Sequence, residues 1–119
     1  MMDNTFNQVL KALVSIWQKS GIAYADYMQN GMKFRDAQAL KVHNTAARKL
    51  LVDNINTVPA DFKEDVYAII EHYTIWSAKW DQLKDKLDPS PDDKFVFAND
   101  HHFPKASAQR LEEALNELS

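Results

Sequence analysis

Eight apolar residues, Phe62, Val66, Ile69, Tyr73, Trp76, Trp80, Leu83 and Leu87, follow one another at steps of 4, 3, 4, 3, 4, 3 and 4. Only a helix gathers side chains so spaced on one face, and the pattern is that of helices packed along a seam. Glu64, Glu71, Lys79, Asp85 and Lys86 fall off the seam, where water can reach them. Tyr73, Trp76 and Trp80 need more cover than one neighbouring helix supplies. The seam therefore predicts an all-α fold with several partner helices.

The rest of the chain offers those partners. Residues 4–20 predict a first helix, with Phe6, Leu10, Leu13 and Trp17 at steps of 4, 3 and 4, and Val9 and Ile16 widening the stripe. Asp3 or Asn4 suits its N-cap, and Gly21 suits the C′ position that ends it. Residues 22–55 predict a long helix with a kink or short break near Asn30-Gly31, and Asp36 as N-cap if the helix restarts. The short link Asn56–Pro59 makes that helix antiparallel to a helix over 60–87, with Asp61 and Glu64 spaced as a capping box. The expected register sets Val66 against Leu50, Ile69 against Ala46, Trp76 against Ala39 and Leu83 against Met32, large against small.

Pro89 and Pro91 end the seam helix, and residues 88–103 are too apolar for a solvated linker, so Phe95 or Phe97 is expected to tuck into the bundle. Pro104 opens a last helix over 104–118, with Ala108, Leu111, Leu115 and Leu118 as its stripe. The expectation is an antiparallel four-helix bundle in one domain, 1–119. Two long helices form a hairpin, joined by two shorter helices and one structured loop before the last.

Charge and composition narrow the chemistry. Residues 1–58 hold 7 basic and 4 acidic groups, net +3, whereas residues 59–119 hold 7 and 13, net −6. Antiparallel packing of the halves cancels much of this, and no clustered basic face remains for nucleic acid. The absence of cysteine excludes disulfides, thiolate metal sites and a cysteine nucleophile. The first residues resemble neither a signal peptide nor a membrane span, so the cytoplasm is the expected compartment. Lys11 and Lys19 are too few cations for a membrane-surface helix.

No phosphate loop, nucleophile elbow, HExxH or calcium loop is present. A histidine phosphotransfer role is disfavoured, since Ala46 stands where lysine should follow His43 and no adjacent glycine is present. Two site candidates remain. The expected register brings His43 level with His72, and with Glu71, His101 or His102 they form a candidate metal site of borderline ligands. Against this, the sequence lacks the paired Glu-x-x-His motifs of di-metal bundles. The second candidate is the aromatic set Trp17, Tyr24, Tyr27, Tyr73, Trp76 and Trp80, which fits a core, a dimer face or a ligand pocket. Trp80 is expected beside Arg35.

The functional expectation is a small soluble protein acting by protein–protein contact, as a homodimer or with another protein partner, with no cofactor; the sequence leaves open whether it is an enzyme and favours a non-catalytic role. The alternative is a metal- or small-ligand-binding bundle using His43 and His72.

Overall fold

Asn30 and Gly31 decide the topology. Gly31 sits at φ +84°, in the left-handed region where glycine carries no side-chain penalty. The N–H of Met32 bonds the Tyr27 carbonyl at 2.7 Å and that of Gly31 bonds the Met28 carbonyl at 3.4 Å. This is the paired bonding of a Schellman ending, completed by an apolar contact between Met32 and the cluster holding Tyr27. Met32 is itself left-handed, at φ 60°. The chain reverses here rather than kinking.

The computed structural model describes residues 5–97 and 102–118. It is an all-α four-helix bundle, with α1 Thr5–Gln29, α2 Phe34–Asp53, α3 Lys63–Leu87 and α4 Lys105–Leu118. Gly21 does not end the first helix; α1 runs through it. The cost of a mid-helix glycine, about 1 kcal/mol, is outweighed because continuing the helix buries Ala23 and Tyr27. Residues 22–29 thus belong to α1, and the hairpin expected over 22–87 becomes three successive antiparallel helices.

This reading predicts opposite effects at the two glycines. Nothing lies within 4 Å of a Cβ built at either, so only backbone conformation separates them. Gly21→Ala should stabilise by about 1 kcal/mol through helix propensity. Gly31→Ala should destabilise by roughly the same amount, because alanine resists positive φ. Thermal unfolding that shifts both variants in one direction would contradict the account.

The link between α2 and α3 carries two 3-10 turns, Ile55–Thr57 and Ala60–Phe62. The expected capping box is not formed: the residue before α3 is Phe62, and no side chain caps it. The register also differs. Arg48 Nε donates to Thr74 Oγ1 at 2.8 Å and Lys41 Nζ pairs with Asp81 at 2.5 Å, each about two turns beyond the expected level on α3. The heptad pattern allowed this, since a slide of seven residues keeps the same face inward.

Two apolar clusters share the length of the bundle, which measures 52 × 23 × 22 Å. One gathers Leu10, Leu13, Leu51, Val66, Ile69 and Leu111. The other gathers Tyr27, Phe34, Ala37, Trp76, Trp80 and Phe95. The last helix, at ~1.5 Å per residue, covers only about half of the groove between α1 and α3. It is fixed there by Arg110, whose Nε meets the largely buried Asp65 at 2.8 Å; that bond raises the guanidinium pKa.

A strap, residues 88–97, covers the other half. Phe95 is fully buried, its ring centroid 5.2 Å from that of Phe34 and 5.1 Å from that of Trp80. The strap also caps α2. The N–H groups of Phe34 and Arg35 donate to the carbonyls of Asp93 and Pro91 at 2.9 and 3.0 Å. Asp36 is therefore not the cap; it lies in the first turn and accepts from Asn30 Nδ2 at 3.2 Å. Main-chain oxygens stand where a serine or aspartate usually does. Arg35 pairs with Asp92 of the strap, and it is Lys41 Nζ, 4.7 Å from the ring centroid, that lies over Trp80.

Candidate functional site

Between the two apolar clusters the bundle does not close. A cavity of about 720 Å³ opens among α1, α2, α3, the strap and the start of α4. Its walls are aromatic: Trp17, Tyr24, Tyr73, Trp76 and Trp80 all line it, with Tyr27, Phe97 and Phe103. The small residues Ser20, Gly21, Ala37 and Ala108 occupy facing positions, where bulkier side chains would fill the space.

A polar layer crosses the cavity. Trp17 Nε1 donates to Tyr73 Oη at 2.9 Å, joining α1 to α3. One turn further along α1, Ser20 Oγ donates to Asn44 Oδ1 at 2.9 Å, joining α1 to α2. Asn44, Tyr73 and His72 are all buried, at 6%, 3% and 5% exposure. The His72 ring meets those of Tyr73 and Phe103 edge-on, with centroids 5.3 and 5.2 Å away. Phe103 also stands edge-on to Trp17, so this one ring holds the start of α4 against the layer.

Burial pushes the Tyr73 hydroxyl up to about 12, and the Trp17 indole only partly offsets it. The Tyr27 hydroxyl is likewise raised, chiefly by burial. It donates to the Phe95 carbonyl and accepts from the Phe97 N–H at 3.2 Å. Tyr27 thereby pins the strap to α1 at the edge of the cavity.

The histidines do not come together. His72 lines the cavity, whereas His43 lines a separate shallow groove with Lys19, Ile22, Ala23, Asp26, Asp36 and Ala39. The true inward stripe of α2 is Ala37, Leu40, Asn44, Ala47 and Leu51, which turns His43 toward α1's outer side. Glu71 and His102 are exposed, and His101 lies outside the described residues. Among the described residues, no three His, Asp or Glu side chains form a metal-ligand group.

Sequence reasoning singled out six of the cavity aromatics and His72 but overlooked Ser20, Gly21 and Asn44. Asn44 carried a usable signal, a polar residue at apolar spacing between Leu40 and Ala47. No helix among the described residues is long and apolar enough to cross a membrane. Compared with known proteins, the chain matches no family model, no curated protein and no solved structure.

Proposed function

We propose that the protein binds a small, largely apolar molecule in the cavity between its two core clusters. The observation that carries this reading is a space of about 720 Å³ walled by aromatic side chains and crossed by the Trp17–Tyr73 and Ser20–Asn44 pairs. Pockets that take small ligands have this size and make-up, mostly apolar with a few polar groups that fix orientation. Without a ligand, so large an apolar space costs the fold dispersion contacts.

The test uses Gly21, which lines the cavity with open space where a side chain would begin. Titration with anilinonaphthalene sulfonate, followed by dye fluorescence, should show one saturable site. Gly21→Phe should weaken uptake at least tenfold, by ~1.4 kcal/mol or more, while circular dichroism stays helical. Equal uptake by both proteins would sink the proposal.

A second reading is contact between copies of the chain. Trp76 and Trp80 no longer support it, since both are covered within the chain, at 6% and 4% exposure. Ile22 and Val42, 65% and 64% exposed, support it instead, and Ile22 borders the shallow groove holding His43. Light scattering on Ile22→Ser and Val42→Ser variants tests it: a monomeric parent protein ends this reading, and a dimer that those changes dissociate upholds it.

A further inference from the structure

Tyr73 constrains what the cavity can hold. An indole N–H only donates, so in the Trp17–Tyr73 bond the phenol oxygen must accept. The hydroxyl proton of Tyr73 is then left over, and it meets no acceptor among the described residues. Trp80 repeats the pattern. Its Nε1 is buried and has no hydrogen-bond partner, and it too can only donate. Asn44 fits the same scheme. With Oδ1 taken by Ser20, its amide N–H groups are the ones unused. Because an amide can be turned end for end, Asn44 is the adaptable member and Tyr73 and Trp80 the fixed ones.

A buried donor without an acceptor is unfavourable until something supplies one. Tyr73, Trp80 and Asn44 line one cavity, and the Tyr73 hydroxyl and Asn44 amide have hydrogens that an occupant can take up. Resting on the ligand-binding reading above, we infer that the occupant is a flat conjugated molecule that presents a carbonyl-type oxygen to Tyr73 and Asn44. The flat body follows from the walls, since aromatic faces and edges pack best against another ring system.

An aromatic lining also suits a quaternary ammonium ion, held by ring faces. The polar layer argues against that occupant. The Tyr73 hydroxyl and the Asn44 amide offer hydrogens rather than lone pairs, and among the described residues no buried lining residue carries a carboxylate. Among the described residues, the one acidic residue at the cavity, Glu112, is exposed and shares the rim with Lys105. His72 can donate or accept and does not decide the matter.

The experiment compares three probes of nearly equal shape by calorimetry. They are acetylnaphthalene, isopropenylnaphthalene, in which =CH₂ replaces the carbonyl oxygen, and naphthyltrimethylammonium. The ketone should bind about tenfold tighter than the alkene, the value of one or two neutral hydrogen bonds. In Tyr73→Phe that preference should shrink to about threefold or less. Should this variant not fold, the infrared carbonyl stretch of the ketone bound to the unaltered protein serves instead. It should lie lower than in hydrocarbon solvent, and an unshifted band overturns the inference.

Equal binding of ketone and alkene, with both abolished by Gly21→Phe, overturns the acceptor inference and leaves the cavity reading standing. Tightest binding of the ammonium probe overturns it in favour of a cation cage. Binding of none of the three removes the cavity reading, and this inference with it.

Discussion

Replacing Phe95 with alanine is expected to cost about 3–5 kcal/mol, the usual range for deleting a buried phenylalanine ring. Three features place it there. Phe95 is fully buried although it belongs to no helix. Its ring packs against Phe34 and Trp80, two of the large side chains that fill the strap end of the bundle. Its N–H also donates to the Met32 carbonyl at 2.8 Å, tying strap and α1–α2 turn together. Loss of the ring therefore weakens the strap as a unit, including the carbonyls that cap α2. Urea unfolding should show the lower midpoint, and hydrogen exchange at the Phe34 and Arg35 amides should quicken more than at Leu51. A loss below about 1 kcal/mol would mean that the strap is a passive cover.

The second large effect is alkaline. The Tyr73 hydroxyl ionises near 12 in the folded protein and near 10 in the unfolded chain. Below about pH 10 both states keep the proton, and the stability from this group is fully present. As pH rises from about 10 to 12 the unfolded chain ionises first, and that stability is lost, by roughly 2–3 kcal/mol in all. Tyr27, raised in the same direction, adds to the loss above about pH 10. Unfolding free energy measured against pH should fall on that limb, and less steeply in Tyr73→Phe. That variant also starts less stable, by about 1 kcal/mol or more, because Trp17 Nε1 loses its acceptor. An identical alkaline slope in variant and parent would assign the loss to other groups.

Much of the architecture was legible in the seam. The period from Phe62 to Leu87 required a helix with cover on several sides, and Val66, Ile69, Tyr73, Trp76 and Trp80 are all buried. The stop at Asn30-Gly31 was legible as well, but its consequence was not. Gly21 and Gly31 look alike in sequence, and only the burial of Ala23 and Tyr27 beyond Gly21 shows which one the helix crosses. The register was ambiguous for a periodic reason, since sliding one heptad keeps large residues against small ones.

The candidate site was half legible. Its aromatics were visible as a set, but not their arrangement around a space. Leu40, His43, Ala47 and Leu50 satisfy helical spacing as well as Leu40, Asn44, Ala47 and Leu51. Polarity does not separate histidine from asparagine, so α2's inward face followed only from where α1 packs. The split of charge between the two halves of the chain has a visible outcome in the pairs Lys41–Asp81 and Arg35–Asp92, both bridging the halves. With Asp81, Arg35 and Asp92 exposed to water, the pairs add little stability, ~0–1 kcal/mol each.

The way α2 begins also sets an order of events during folding. Arg35 and its strap partner Asp92 are 57 residues apart, so the first turn of α2 stays open while everything between them is synthesised. The α1–α2 hairpin can assemble early from contacts close in sequence, which form fastest. Its turn end then waits with two amides bonded to water until the strap arrives and displaces it. A nascent chain halted within α3 would hold a hairpin frayed at that end and closed at the other. The strap's arrival thus seals the helix start and brings Phe97 to the cavity wall in one step, with α4 still to follow.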